Sequence, residues 1–301
     1  MHEASQPAAP GSRTLAGRVA VVTGASRGLG RAIAEALWTE GASLLLVARG
    51  EAALRELAHA LTAARSDDTQ QAHVCVADLA DASAPAHIAD AALERFGSVD
   101  VLVNDAALVG PIGLLWQTDA RSWDTTIRVN LLAPVDLCRR LVPSMIARGR
   151  GRIVNVSGGG ATTPLARFSA YGTAKAGLAR FTETLAHELA GTGVEVNGLS
   201  PGPLDTAMHA EIRAAGEAAG EVMSRLAREV VSSGDAPLAR AAALAVFLAS
   251  PASRGISGRL VSAVWDPWRS LADRGEELAR TDVYTLRRIT PGDRGLDWGE
   301  P

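Results

Sequence analysis

Tyr171 and Lys175 stand four residues apart in Tyr171-Gly172-Thr173-Ala174-Lys175. On a helix, this spacing sets a phenol and an ammonium on one face. A free phenol titrates at about 10 and is a poor proton carrier at neutral pH. A neighbouring ammonium favours the phenolate and lowers that value, so such a pair is suited to passing a proton to or from a substrate oxygen. In a chain rich in both residue types, an exposed helical pair is the plainer reading. Here scarcity argues otherwise. Of the 30 basic residues Lys175 is the sole lysine, and the chain has 2 tyrosines, Tyr171 and Tyr284. A compact ammonium has been kept at one place in a sequence that otherwise uses guanidinium, and the two groups are not interchangeable where a cation must reach into a site.

A second constellation lies near the start. The segment Thr23-Gly24-Ala25-Ser26-Arg27-Gly28-Leu29-Gly30 follows an apolar run and precedes a helical pattern. Glycines at this spacing allow a tight turn and close backbone approach, and a following helix N-terminus favours the diphosphate of a dinucleotide. A carboxylate at the end of the second strand would bind the free ribose hydroxyl of NAD(H). That end instead reads Val47-Ala48-Arg49-Gly50. Arg49, joined by Arg27, is suited to clamp a 2′-phosphate, which favours NADP(H) over NAD(H); the alternative is two solvated arginines.

The elements needed to position these groups follow from periodicity. Strands are expected at Arg18–Thr23, Ser43–Ala48, Ala72–Ala77, Val101–Asn104, Arg152–Ser157, Val194–Ser200 and Gly258–Val264. Nearly continuous apolar runs such as Leu44-Leu45-Leu46-Val47 suit a sheet covered on both faces. Helices are expected at Gly28–Glu40, Glu51–Arg65, Ala86–Phe96, Asp119–Ile146, Ser169–Ala190 and Ala236–Ala249. This alternation predicts an α/β fold: a doubly wound, parallel, Rossmann-type sheet of about seven strands. The expected organisation is a flexible arm at 1–16, rich in Ala, Pro and Ser, a dinucleotide-binding and catalytic domain at 17–266, and a C-terminal extension at 267–301. The extension holds Trp268 and Trp298, and disordered segments are poor in aromatics, so it is expected to wrap the core or a neighbouring subunit. Thr206–Val231 is Ala/Glu-rich and is expected to form a helical flap lining the substrate pocket, where Met208 and Met223 suggest a partly apolar ligand.

Taken together, the glycine turn and the Tyr/Lys pair resemble the short-chain dehydrogenase/reductase family over residues 17 to about 264. Other segments carry the resemblance further. Asp78-Leu79 matches the family's adenine-binding pair. Asn104-Asp105-Ala106-Ala107 stands where the family has N-N-A-G; it keeps the first Asn and loses the second Asn and the Gly. Asn130, in Val129-Asn130-Leu131, matches a helix-borne Asn that supports a water linking the active-site Lys to solvent. Ser200-Pro201-Gly202-Pro203-Leu204-Asp205-Thr206 resembles the loop that binds the nicotinamide carboxamide. The resemblance implies hydride transfer between the nicotinamide and a carbonyl or secondary alcohol. Tyr171 would be the general acid/base, Lys175 would lower its pKa and hold the nicotinamide ribose, and Asn130 would complete a proton relay. It implies Gly24, Ser26, Arg27, Gly28, Leu29, Gly30, Arg49, Asp78, Leu79, Asn104, Ala106, Pro201, Gly202, Leu204 and Thr206 as cofactor-binding positions, shared with Tyr171 and Lys175.

Two departures from the family pattern stand out. The substrate-orienting Ser normally lies thirteen residues before the Tyr, which is Gly158 here, within Ser157-Gly158-Gly159-Gly160. Ser157 is the expected substitute; Ser169, Thr162 and Thr163 are the other nearby hydroxyls, and the last option is that none serves. The usual V-D-G-G ending is also replaced, by Val264-Trp265-Asp266-Pro267-Trp268 and a longer tail. Non-redox, lyase-like or dinucleotide-binding regulatory members of the same fold are the competing readings. A net charge of −3 provides no electrostatic footprint for nucleic acid or anionic membrane. No apolar run approaches the about 18 residues of a membrane span. Cys75 and Cys138 lie in apolar surroundings, and neither they nor the histidines show metal-ligand spacing. This fits buried thiols, a reducing cytoplasmic setting and no metal. The family resemblance implies a homodimer or homotetramer.

Overall fold

The computed structural model describes residues 13–65, 67–229 and 236–299. Seven strands form one sheet: β1 (Val19–Thr23), β2 (Ser43–Ala48), β3 (Ala72–Val76), β4 (Val101–Asn104), β5 (Gly151–Val156), β6 (Val194–Ser200) and β7 (Leu260–Ser262). Their order is β3-β2-β1-β4-β5-β6-β7, and every neighbouring pair is parallel. The expected fold is the observed one. The first, third, fifth and last strands differ from expectation at their ends, the last by two residues on each side. The strand order reverses between β1 and β4, and a doubly wound sheet opens its ligand crevice at such a point, beyond the strands' carboxyl ends.

Helices cover both faces because the strands are apolar on both. Helices α1 (Gly28–Thr39), α2 (Glu51–Ala63) and α9 (Ala236–Ala249) pack on one side, and α3 (Ala84–Phe96), α5 (Ala133–Ala147) and α6 (Ser169–Glu188) on the other. Leu37, Leu44, Leu54, Leu102 and Leu137 are fully buried, each contributing roughly 2 kcal/mol of transfer free energy. Among the described residues, no helix is long and apolar enough to cross a membrane. Cys75 and Cys138 are buried free thiols; burial pushes both up, Cys138 to about 12.

Two segments depart from expectation. The helix expected over Asp119–Ile146 is α4 (Ala120–Ile127) and α5, joined by a π-helical turn at Arg128–Leu132. Pro134 has no N–H to close an α-turn on the Asn130 carbonyl, and the ladder widens there instead. Residues 13–16, expected in the arm, are packed: Leu15 is buried and Thr14 hydrogen-bonds Glu40; the rest of that arm lies outside the described residues. Between β6 and α9 the expected flap forms α7 (Ala207–Ala215) and α8 (Glu221–Glu229). They close a small apolar cluster, Val109, Phe168, Ile212, Ala219 and Ala227, above the sheet. Val231, the expected end of the flap, lies outside the described residues.

The C-terminal segment wraps the core, one of its two expected courses. Trp268, Leu271 and Leu278, the last in α10 (Gly275–Arg280), are buried against the face formed by α1 and α9. Downstream, the Tyr284 carbonyl accepts the Leu260 N–H at 2.8 Å. Arg259 donates to the carbonyls of Leu278, Thr281 and Val283. A strand edge with unpaired backbone groups invites further pairing, and this tail occupies the β7 edge.

Candidate active site

The carboxyl ends of the strands open on one cavity of about 1090 Å³. All the site residues expected from the sequence line it except Gly30, Asn104 and Asn130. These three lie behind it and hold its walls. Asn104 Nδ2 donates to Asn155 Oδ1 at 2.8 Å, and Asn155 Nδ2 donates to Thr182 Oγ1 at 2.9 Å, tying β4 and β5 to α6. Asn130 is 1% exposed. Its Oδ1 accepts the Leu108 N–H and its Nδ2 donates to the Leu108 carbonyl, both at 2.8 Å. The side chain is thus spent on pinning the loop after β4.

The glycine turn is shaped by close approach. Gly24 has φ +75°, and a Cβ on Gly30 would lie 2.5 Å from the Gly24 carbonyl oxygen. No side chain fits between strand and helix there, so the turn folds flat over the start of α1. The first N–H groups of a helix lack intrahelical acceptors and carry the positive end of its dipole. The turn, the unsatisfied donors and the cavity beyond them fit a dinucleotide diphosphate. Thr206, in the loop after β6, lies over the turn, its Cγ2 3.7 Å from where a Cβ of Gly28 would stand. Arg49 leaves the end of β2 and pairs with Asp78 at 4.0 Å, both side chains more than half exposed. A pair so exposed contributes about 0–1 kcal/mol and yields readily to a stronger anion.

Helix α6 begins at Ser169, two residues before Tyr171, so Tyr171 and Lys175 emerge on its first turns towards the sheet. A Cβ on Gly160 would lie 2.7 Å from Gly172 Cα, so the loop after β5 abuts this helix directly. Lys175 is 2% exposed and its Nζ donates to the Val156 carbonyl at 2.7 Å. Its Nζ is 5.9 Å from the centre of the Tyr171 ring. Here the expected electrostatics are corrected. Burial, and then the charge of Asp105, push Tyr171 up to about 12 rather than down. Burial lowers Lys175 to about 8, against a smaller upward pull from Asp105. The ammonium is committed to a backbone carbonyl, and the phenol feels the charge of a carboxylate that nothing in the sequence connects to it.

Asp105 is a site residue that the sequence does not single out. The clue was its departure from the family's asparagine, but sequence did not disclose what surrounds it. Its Oδ2 lies 2.6 Å and 3.0 Å from where Cβ atoms on Gly30 and Gly24 would stand, and its N–H donates to Thr23 Oγ1 at 3.1 Å. Burial pushes its carboxyl up to about 7, offset in part by Lys175 and by the Gly30 N–H that it accepts.

A Cβ on Gly158 would stand 2.1 Å from Tyr171 Oη, so the phenol reaches into the space a side chain at 158 would need. Of the alternatives, Ser157 lines the cavity, and its buried Oγ has no hydrogen-bond partner among the described residues. Ser169 Oγ accepts the Trp123 Nε1–H at 3.2 Å, while Thr162 and Thr163 are exposed and do not line the cavity.

Comparison with known proteins agrees with the sequence resemblance. The family model described as short chain dehydrogenase matches residues 18–217. The chain is 35% identical over 246 residues to D-threitol dehydrogenase of Mycolicibacterium smegmatis, covering 81% of this chain and 90% of that protein. It is 36% identical over 259 residues to cis-4-hydroxycyclohexanecarboxylate dehydrogenase of Sinomonas cyclohexanicum, covering 82% and 95%. Among solved structures it is similar to a metagenomic short-chain oxidoreductase in complex with NADP. That structure is 33% identical with a TM-score of 0.66, and the match covers 83% of this chain and 98% of that one.

Proposed function

This chain belongs to the short-chain dehydrogenase/reductase family and is an NAD(P)-dependent oxidoreductase acting on CH–OH groups; on that premise we propose that it works with NADP(H), with Tyr171 as the proton carrier. The observation that carries this reading is the convergence of the sole lysine and one of the two tyrosines on the cavity that holds the glycine turn.

Gly24, Ser26, Gly28 and Leu29 would hold the diphosphate, with Gly30 shaping the turn. Arg27 and Arg49 would take the 2′-phosphate, and Asp78, Leu79 and Ala106 the adenosine side. Pro201, Gly202, Leu204 and Thr206 would hold the carboxamide, and Lys175 the nicotinamide ribose. The bound nicotinamide supplies or accepts the hydride; the protein supplies alignment and charge. For reduction, Tyr171 Oη donates its proton to the carbonyl oxygen as the C–H bond forms. A phenol at about 12 is fully protonated at neutral pH, the form this direction needs. Ser157 Oγ, without a partner among the described residues, is free to orient the substrate oxygen. Asn104 and Asn130 act through the walls that they brace. The substrate is a small carbonyl or alcohol; Met208, Met223 and Phe168 line its end of the cavity and favour a partly apolar one. The resemblance further supports a homodimer or homotetramer, residues 17–266 as the catalytic domain, and 267–301 as its extension.

A panel of ketones and polyols, screened by gain or loss of NADPH absorbance, tests this reading. Turnover of a secondary alcohol or its ketone is expected, and dinucleotide binding without turnover of any member sinks it. Cofactor preference has its own test. Replacing Arg49 by alanine is expected to weaken NADPH binding about tenfold, the loss of one charge-assisted contact, with NADH affinity unchanged within about twofold. Equal loss for both dinucleotides, measured by fluorescence titration, would remove Arg49 from phosphate recognition.

A further inference from the structure

A diphosphate arriving at the start of α1 meets a carboxyl already there. Asp105 accepts the Gly30 N–H, and its Oδ2 packs against Gly24 and Gly30, the two positions where the turn admits no side chain. It therefore occupies the positive helix end that attracts anions. Two anions sharing a low-dielectric site cannot both stay ionised without cost, and the one in exchange with solvent protons is neutralised. Nor, among the described residues, is there a spare cation beside it. The charged group from another element that acts on Asp105 is Lys175 of α6, whose ammonium is already held by the Val156 carbonyl. Tyr171, also from α6, is the remaining titratable neighbour. The other charged groups of the cavity are Arg27, Arg49, Asp78, Asp205 and Arg213, with His209 the remaining titratable one; none of them is among the influences on Asp105.

We propose that Asp105 is a cofactor-positioning residue that takes up a proton when the nicotinamide dinucleotide binds, so that the neutral carboxyl braces the glycine turn under the diphosphate and binding is linked to pH. The proton comes from the buffer, and no bond other than O–H is made. This rests on the dinucleotide reading of the cavity. A carboxyl that burial holds at about 7 is partly ionised under physiological conditions, so the uptake is substantial there.

Isothermal titration of the full chain with NADPH, in buffers of different ionisation heat, reads the linkage directly. A parallel series with NADH removes the titration of the 2′-phosphate. In the wild type the Kd is expected to rise about tenfold from about pH 6 to about pH 8, with buffer-dependent heat reporting net proton uptake. In Asp105→Asn the Kd is expected to stay within about twofold over that range and the uptake to fall accordingly. Asp105→Ser, which also lacks the charge, provides the same reading if the asparagine chain folds poorly. A flat wild-type profile, or the same slope and uptake in both variants, overturns the proposal while leaving the cofactor reading intact. Absence of binding by the wild type at every pH overturns both.

Discussion

Tyr171→Phe is expected to lower turnover roughly 10³-fold, the usual scale for removing a positioned general acid, while dinucleotide affinity and thermal stability hold. The change is confined to one oxygen. The ring keeps its packing below Gly158. What is lost is the proton path to the substrate oxygen. Steady-state kinetics in both directions, with a binding titration alongside, check this, and an unimpaired rate would refute the assignment whatever the fold. The same phenol sets a directional pH profile. Burial, the larger influence on it, holds its proton well above the neutral range, so the reductive step is served throughout that range. Oxidation needs the phenolate and is expected to climb with pH.

Gly158→Ala is expected to cost roughly 10² in kcat, because a displacement of roughly 1 Å at a reacting group costs about that much. The added Cβ would stand 2.1 Å from Tyr171 Oη and 3.1 Å from its Cζ, so the ring tip must swing away. The backbone at 158 is extended, with φ −173°, which any residue adopts, so the effect is read as kcat rather than as misfolding. Ser157→Ala is the companion test. Its hydroxyl has no hydrogen bond to lose among the described residues, so little change in stability is expected. The loss of one substrate hydrogen bond should lower kcat/KM about tenfold. Should Ser157→Ala match the wild type in kinetics, no hydroxyl near Tyr171 orients the substrate. A Gly158→Ala enzyme of full activity would mean that the phenol works from another position.

The sheet was legible because its strands are short, nearly unbroken apolar runs. Leu44–Val47 has no second reading once helices of regular period flank it. The placement of Tyr171, Lys175 and the glycine turn in one cavity follows from that topology, since all three leave strands or enter helices at the same edge. Asp105 was not legible. Its neighbours, Gly24, Gly30 and Lys175, are distant in sequence, and only the reversal of strand order between β1 and β4 brings them together. The π turn at Arg128–Leu132 escaped for a different reason: one extra residue in a helical ladder barely disturbs apolar spacing, and only Pro134 hinted at it. The tail's path along β7 depends on one backbone hydrogen bond from Leu260 and on Arg259, neither of which carries a sequence pattern.

Lys175 is the chain's one lysine, and folding leaves it 2% exposed beneath Val156. The outer surface therefore presents guanidinium groups but no amine side chain. For an acylating reagent that selects primary amines, the one lysine is reached from the cavity that it lines. Its slow reaction at this one position becomes a gauge of whether that cavity is filled, and a bound dinucleotide is expected to slow it further.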